Sequence, residues 1–247
     1  MRILDRLIDS ISENDHDVRQ VQCCAFWTAV TTRHTGLSTT YRALEGKEAA
    51  HHSGVRDVGN LTEKKALELA QFARSDNTLE ASIGMATINS LIDVDEDQCV
   101  DLNAYEVLAD KGKNLNIAVV GHFPFVSKLK KVAKNLWVIE KRVRPGDLPE
   151  SEASRILPQC EVVCLTGTCF INHTIEKLLS LCKDSFVVLT GPTSPLTPVL
   201  FDHGIDVICG TKVIDPQMVL KYISQAATFR QLHGKGVRLL TLARETL

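Results

Sequence analysis

The sequence predicts an α/β protein in two parts, a smaller α+β domain over residues 1–112 and a parallel-sheet domain over residues 113–247. Two observations carry the second part. Runs such as Ile117-Ala118-Val119-Val120 and Phe186-Val187-Val188-Leu189 are continuously apolar, as strands covered on both faces are. These runs alternate with helical patterns and end in turns rich in glycine, proline and hydroxyls: Gly121-His122-Phe123-Pro124, Thr166-Gly167-Thr168 and Gly191-Pro192-Thr193-Ser194-Pro195. The third observation is a change of pattern: the residues before Lys111-Gly112-Lys113 mix short strand-like and helical segments without that alternation. In parallel sheets the ligand crevice lies beyond the carboxyl ends of the strands, where the three turns fall.

In chain order, Leu4, Leu7, Ile8 and Ile11 have helical spacing. Residues 18–32 are rich in Val, Cys, Phe, Trp and Thr and read as two strands, or one bent near Cys24. Residues 31–52 are polar and glycine-punctuated; they form a solvated loop with a short strand, or a flap presenting Arg33, His34, Tyr41, Arg42, His51 and His52. Asn60 with Glu63 has the pattern of a capping box opening a helix. A second helix spans about residues 79–91, where Gly84 implies close packing that offsets its cost of about 1 kcal/mol against alanine. The acids of residues 93–97 form a surface loop, and a helix over about 103–109 leads into the sheet.

Strands are expected at residues 117–121, 136–140, 161–167, 186–191 and 205–210. Between them, Val126, Leu129, Val132 and Ala133 line one face of a crossover helix whose solvated face carries Lys128, Lys130, Lys131 and Lys134. Ala153, Ile156 and Leu157 mark the next helix; Ile175, Leu178, Leu179 and Cys182 mark another. A short helix runs through Val199 and Phe201. Asp215-Pro216 starts a helix with the buried stripe Val219, Tyr222, Ile223 and Ala226. Residues 237–242 form a final strand or docked segment.

Composition bounds the function. The net charge of -2 gives no basis for binding nucleic acid or a membrane surface. The acids near the start do not suit a signal peptide, and no stretch is long and apolar enough to span a bilayer. Of the eight cysteines, Cys23, Cys24, Cys164 and Cys209 sit in strand-like runs, and no Cys-x-x-Cys occurs. That usage indicates reduced thiols and a cytoplasmic location, without a zinc knuckle.

Gly121-His122-Phe123-Pro124 lacks the further glycines of a dinucleotide fingerprint, and no Gly-Lys-Ser/Thr occurs, so NAD and ATP in their usual modes are disfavoured. His122 is a candidate base, hydrogen-bond donor or metal ligand, or a loop histidine held by backbone. Glu140 ends the second strand, where an acid can hold a ribose. Residues 166–174 join a strand end to a helix start, and their amides and hydroxyls suit an anion; Asn172 and Thr174 are equally helix caps. Cys169 and His173 are four apart and would share a helical face. A metal would need a third ligand, from His122, Glu140 or His203. Three prolines stiffen residues 191–198, which present Thr193 and Ser194.

These loops resemble those of the family described as putative heavy-metal chelation proteins, formerly a domain of unknown function. The resemblance rests on Val120-Gly121-His122-Phe123-Pro124, Thr166-Gly167-Thr168 with Asn172 and Thr174, Gly191-Pro192-Thr193-Ser194-Pro195, and Gly204-Ile205-Asp206 followed by Gly210. Gly84-Met85-Ala86 with Asn89 carries it into the amino-terminal part. It covers nearly the whole chain. It implies an enolase amino-terminal-like domain followed by a Rossmann-like domain, with a ligand site in the cleft between them.

The resulting expectation is a protein binding a small polar or anionic ligand, or a heavy-metal complex. The ligand-binding candidates are Asn89, Gly121, His122, Glu140, Thr166, Gly167, Thr168, Asn172, Gly191, Thr193 and Ser194, and the residue 33–41 region is a further contributor. Metal candidates are His122, Cys169, His173 and His203, for a divalent or heavy-metal ion. One alternative is an enzyme acting on a small cofactor or pterin-like substrate, with His122 and Glu140 as the proton-transfer pair. A non-catalytic scaffold is another. The sequence does not specify the oligomeric state.

Overall fold

The computed structural model describes residues 2–41 and 54–245. Arg42, His51 and His52 of the expected flap lie outside the described residues. The chain forms two compact units. One contains the chain up to Val94 with Phe170–His173 and Thr211–Arg238; the other contains Asp95–Cys169, Thr174–Gly210 and the chain from Leu239. A small antiparallel sheet comes first and a larger, mainly parallel sheet follows.

The first unit begins with α1 (Ile3–Ser10), whose Ile3, Leu7 and Ile8 are buried. Strands β1 (Gln20–Cys23), β2 (Trp27–Thr31) and β3 (Thr35–Thr39) form an antiparallel sheet in sequence order. Residues 18–32 are thus two strands turning at residues 24–26. The threonine-rich β3 is buried rather than solvated, because its hydroxyls find partners. Thr35 pairs with Thr31 at 2.9 Å, and Ser38 donates to the Ser82 carbonyl at 2.7 Å.

Helices α2 (Ala66–Ala70) and α3 (Thr78–Leu91) follow. The helix expected from Asn60 does not start there. Asn60 makes no side-chain cap, and Leu61–Glu63 is only a 3₁₀ turn. A long-range pairing overrides the local pattern: Lys65 bridges to Asp17, and the Ala66 amide donates to the His16 carbonyl at 2.9 Å. The chain stays extended through Lys65, and the helix begins after it. Helix α3 is buried along most of its length, as a helix apolar on all sides must be. A Cβ on Gly84 would lie 1.9 Å from the Ala73 backbone nitrogen, which is the close packing its sequence implied.

The remaining elements are β4 (Cys99–Val100), α4 (Ala104–Lys111), β5 (Asn116–Val120), α5 (Val126–Leu129), β6 (Asn135–Glu140), β7 (Leu148–Pro149), α6 (Ala153–Ile156), β8 (Val162–Thr166), α7 (Thr168–Ile171), α8 (Ile175–Ser180), β9 (Phe186–Thr190), β10 (Val207–Val213), α9 (Pro216–Ser224), α10 (Phe229–Leu232) and β11 (Val237–Ala243). Asn103 and Glu106 make a complete capping box at the start of α4. The crossover helix α5 is a single turn, shorter than its apolar spacing suggested. The chain leaves the helix after Leu129 because the amides of Asn114 and Lys134 bind the carbonyls of Val132 and Leu115. Its lysines are exposed as expected. Asp215 caps α9 by accepting from the Met218 amide at 3.0 Å. Ala226 falls outside the buried stripe of α9, since the helix ends at Ser224 and Ala226 is exposed with φ 59°.

The large sheet has the order β4-β11-β10-β9-β8-β5-β6-β7. Pairs β6/β5, β5/β8, β8/β9 and β9/β10 are parallel. Ile117, Val119, Val162, Cys164, Val188 and Val207 form one core with Val107 and Leu108 of α4 and Leu129 of α5. Each fully buried aliphatic side chain there contributes about 1.5–3 kcal/mol. In the other unit, Trp27, Ala29 and Leu37 pack with Val219, Ile223, Leu232 and Val237. The Trp27 indole donates to the Ala227 carbonyl at 2.9 Å, so its buried nitrogen is satisfied. No helix among the described residues is long and apolar enough to cross a membrane.

Candidate functional site

The five central strands run β6-β5-β8-β9-β10, which is 2-1-3-4-5 in their own chain order. That order reverses direction between β5 and β8. In doubly wound sheets the ligand crevice opens at such a switch point, beyond the carboxyl ends.

The first residues past the strands extend the ladder by one bond each. Gly121 donates to the Ile139 carbonyl at 3.0 Å, Gly167 to Thr190 at 2.9 Å and Gly191 to Cys209 at 3.0 Å. The loops then touch. A Cβ on Gly121 would lie 3.1 Å from the Thr166 Cβ. One on Gly167 would lie 2.6 Å from both the nitrogen and the Oγ of Ser194. Glycine at 167 is therefore what allows the proline-rich loop to close over the end of β8. The Ser194 amide donates to the Gly191 carbonyl at 3.0 Å, which makes residues 191–194 a turn with Pro192 in its second position.

This edge is rich in buried hydroxyls. Thr190, Thr193, Ser194 and Thr197 are all buried, Ser194 at 2% exposure. Thr166 and Thr168 pair through their hydroxyls at 3.1 Å. The Ser194 Oγ has no hydrogen-bond partner among the described residues. The structure thus brings Gly121, Thr166, Gly167, Thr168, Gly191, Thr193 and Ser194 together at one edge.

The loop that follows Gly121 carries an ionisable side chain with an acidic neighbour. His122 Nδ1 stands 3.5 Å from Asp147 Oδ2. The Asp147 side chain is 5% exposed, and the same oxygen accepts from the Arg144 amide at 3.1 Å. Glu140 is half-buried and accepts from the Lys141 amide at 2.9 Å, while Lys141 pairs with Glu150 at 3.4 Å. Sequence reasoning missed Asp147. Its only signal is the Pro145-Gly146 turn pattern just before it.

The remaining candidates are placed apart. Cys169 and His173 do not share a helical face: α7 ends at Ile171, and His173 has φ 56°. The exposed His173 ring lies 2.9 Å from the Ser75 carbonyl. Cys169 is buried, and burial pushes its thiol up to about 12 despite a hydrogen bond with Thr174. Burial thus disfavours the thiolate, the form that acts as a nucleophile or metal ligand. Asn172 is half-buried between them, and Thr174 stands at the start of α8 without a side-chain cap. His203 ends a 3₁₀ turn closed by Gly204 at φ 85°. Asn89 lies on α3 in the other unit and donates to the Leu37 carbonyl at 2.8 Å. Arg33 and His34 both bind Asp93. No group of three or more His, Cys, Asp or Glu among the described residues is placed to hold a metal ion.

Two family models match the chain, both described as "Putative heavy-metal chelation", over residues 103–241 and 4–92. An uncharacterized protein of Methanocaldococcus jannaschii is 27% identical over 242 residues, covering 94% of this chain and 93% of its own. A crystal structure of a protein of unknown function from Desulfitobacterium hafniense aligns with TM-score 0.82 at 24% identity, over 98% of each chain. Another, from Pyrococcus horikoshii, aligns with TM-score 0.82 at 20% identity, over 98% of this chain and 100% of the other. At these identities the two structures speak for the fold, Rossmann-like with a smaller α+β portion before it.

Proposed function

Because this chain belongs to the family described as putative heavy-metal chelation, we propose that it binds a small polar or anionic ligand at the carboxyl edge beside the β5/β8 switch point. The observation that carries this reading is the Ser194 hydroxyl, buried against Gly167 without a partner among the described residues. An unmade hydrogen bond of that kind costs about 1–3 kcal/mol. A ligand oxygen or amide at this edge would supply the partner. The buried Thr190, Thr193 and Thr197 and the Thr166–Thr168 pair make the surroundings polar.

The side chains do not fit a bare heavy-metal ion. The soft donor nearest this edge in sequence, Cys169, is a buried thiol held up at about 12. His122, His173 and His203 form no three-donor group with other His, Cys, Asp or Glu among the described residues. A heavy metal would therefore arrive as cargo already held by a chelating ligand. The second reading, an enzyme on a small cofactor-like substrate, is favoured by one observation: the contact between His122 and the nearly buried Asp147. Eight free cysteines support a reducing compartment for either reading.

Hydrogen–deuterium exchange with and without a small-metabolite extract tests the site. The reading expects new protection at residues 166–168 and 191–198. Protection confined to other segments would refute it.

A further inference from the structure

We infer that Asp147 is a positioning residue for His122: it holds the proton of the neutral imidazole on Nδ1 and leaves the Nε2 lone pair for a ligand. Three local features place the carboxylate. Residues 144–147 form a turn in which the Asp147 amide donates to the Arg144 carbonyl at 2.9 Å. Pro145 stands in its second position and Gly146, at φ 94°, in its third, the sequence pattern of a type II turn. The Asp147 side chain folds back to accept the Arg144 amide at 3.1 Å, so the carboxylate and its own turn hold each other. The sheet then sets the distance. Leu148, next to Asp147, pairs with Ile139 across β6 and β7. From the opposite edge of β6, Gly121, next to His122, donates to the Ile139 carbonyl at 3.0 Å. One residue of β6 thereby registers both neighbours.

The chemistry follows from what a carboxylate can do. An ionised carboxylate accepts hydrogen bonds and donates none. Asp147 Oδ2 stands 3.5 Å from Nδ1, a few tenths of an ångström beyond the hydrogen-bond range of about 2.7–3.2 Å. At that separation a lone pair on Nδ1 would face a negative oxygen and be repelled, whereas an N–H would be attracted. The neutral ring therefore carries its proton toward Asp147, the arrangement by which an outer carboxylate fixes a histidine's tautomer. His122 then offers its surroundings an electron-pair donor. The ligand chemistry that suits it is an electron-pair acceptor: an N–H or O–H donor, or an open coordination position on a chelated metal. That last step rests on the ligand reading above; the tautomer itself does not, so either can fail without the other.

The test is the tautomer of His122 in protein labelled with ¹⁵N-histidine. Long-range ¹H–¹⁵N correlation is recorded at the alkaline end of a pH series, where the ring signals no longer change and report the neutral ring. The His122 signals are assigned by their loss in His122→Gln. The expected wild-type result is a pyrrole-type Nδ1 and a pyridine-type Nε2. In Asp147→Ala the proton should move predominantly to Nε2, the tautomer a solvated imidazole prefers. A wild-type ring already protonated mainly on Nε2 overturns the inference, whether or not the alanine variant folds. So does a folded Asp147→Ala whose His122 pattern is unchanged.

Discussion

Replacing Ser194 by alanine should stabilise the free protein while weakening its ligand site. The hydroxyl is 2% exposed and has no partner among the described residues, so the folded state bears its desolvation without return. Removing it recovers about 1–3 kcal/mol. Against this stands the packing of one oxygen atom near Gly167, about 1 kcal/mol or less by the cost of small deletions in cores. The net expectation is a gain of about 1 kcal/mol, or a Tm rise of about 2–4 °C for a chain this long. Urea denaturation monitored by circular dichroism measures it through the midpoint, with the m value as a control. Because two units need not unfold together, a separate second transition would be read by itself. A loss of about 1 kcal/mol or more would show that the hydroxyl is already satisfied in the free protein. The argument for a ligand at this edge would then lose its main support.

Other consequences follow from the same geometry. Gly84→Ala gains about 1 kcal/mol of helix propensity but sets a Cβ 1.9 Å from the Ala73 nitrogen; because backbone must move, the overpacking of about 1–3 kcal/mol should win, and a raised Tm would contradict the packing described. Glu80 is buried and bound by Arg56. Burial pushes its carboxyl up, but hydrogen bonds from Arg56 and Ser75 outweigh this and hold it below its usual 4.5. Its contribution is therefore full above that value and is lost as pH falls through the lower folded value. Glu80→Gln should cost about 1–3 kcal/mol at neutral pH, and denaturation at low pH should find the gap to wild type narrowed; a gap that widens on acidification would contradict the sign. Finally, iodoacetamide at mildly alkaline pH should reach only Cys23, Cys24 and Cys99 in the native protein. Cys160, Cys164, Cys169, Cys182 and Cys209 are buried and should alkylate only on unfolding, as peptide mass mapping would reveal.

The sheet was legible because its strands are continuous apolar runs. Their observed bounds fall within about two residues of the expected ones, except that β10 runs on through Thr211 and Lys212 to Val213, residues whose polarity hides a strand. Two-residue strands β4 and β7 carry no periodicity at all and could not be read. Local rules failed where distant residues compete: Asn60 and Glu63 have the capping pattern, but pairing of Lys65 with Asp17 delays the helix to Ala66. Cys169 and His173 satisfy the helical spacing, yet the helix ends between them. The loops of the candidate site were visible as turn chemistry. What brings them together was not, since the switch point depends on strand order and the contact of Gly167 with Ser194 on folding over that edge. Asp147 illustrates the same limit: alone it is a turn acid, and only the pairing of Leu148 with Ile139 sets it beside His122.

The central claim, that the edge held by Gly167 and Ser194 binds a small polar ligand, is tested most directly by what the protein carries. Native mass spectrometry with metal analysis on freshly purified protein, wild type beside Ser194→Ala and Gly167→Ala, compares the three. The account predicts a small-molecule adduct on the wild type that is reduced in Ser194→Ala and absent in Gly167→Ala, with any heavy metal lost in step with the adduct. An adduct held equally by all three folded proteins, or a metal retained stoichiometrically without a small molecule, would contradict it.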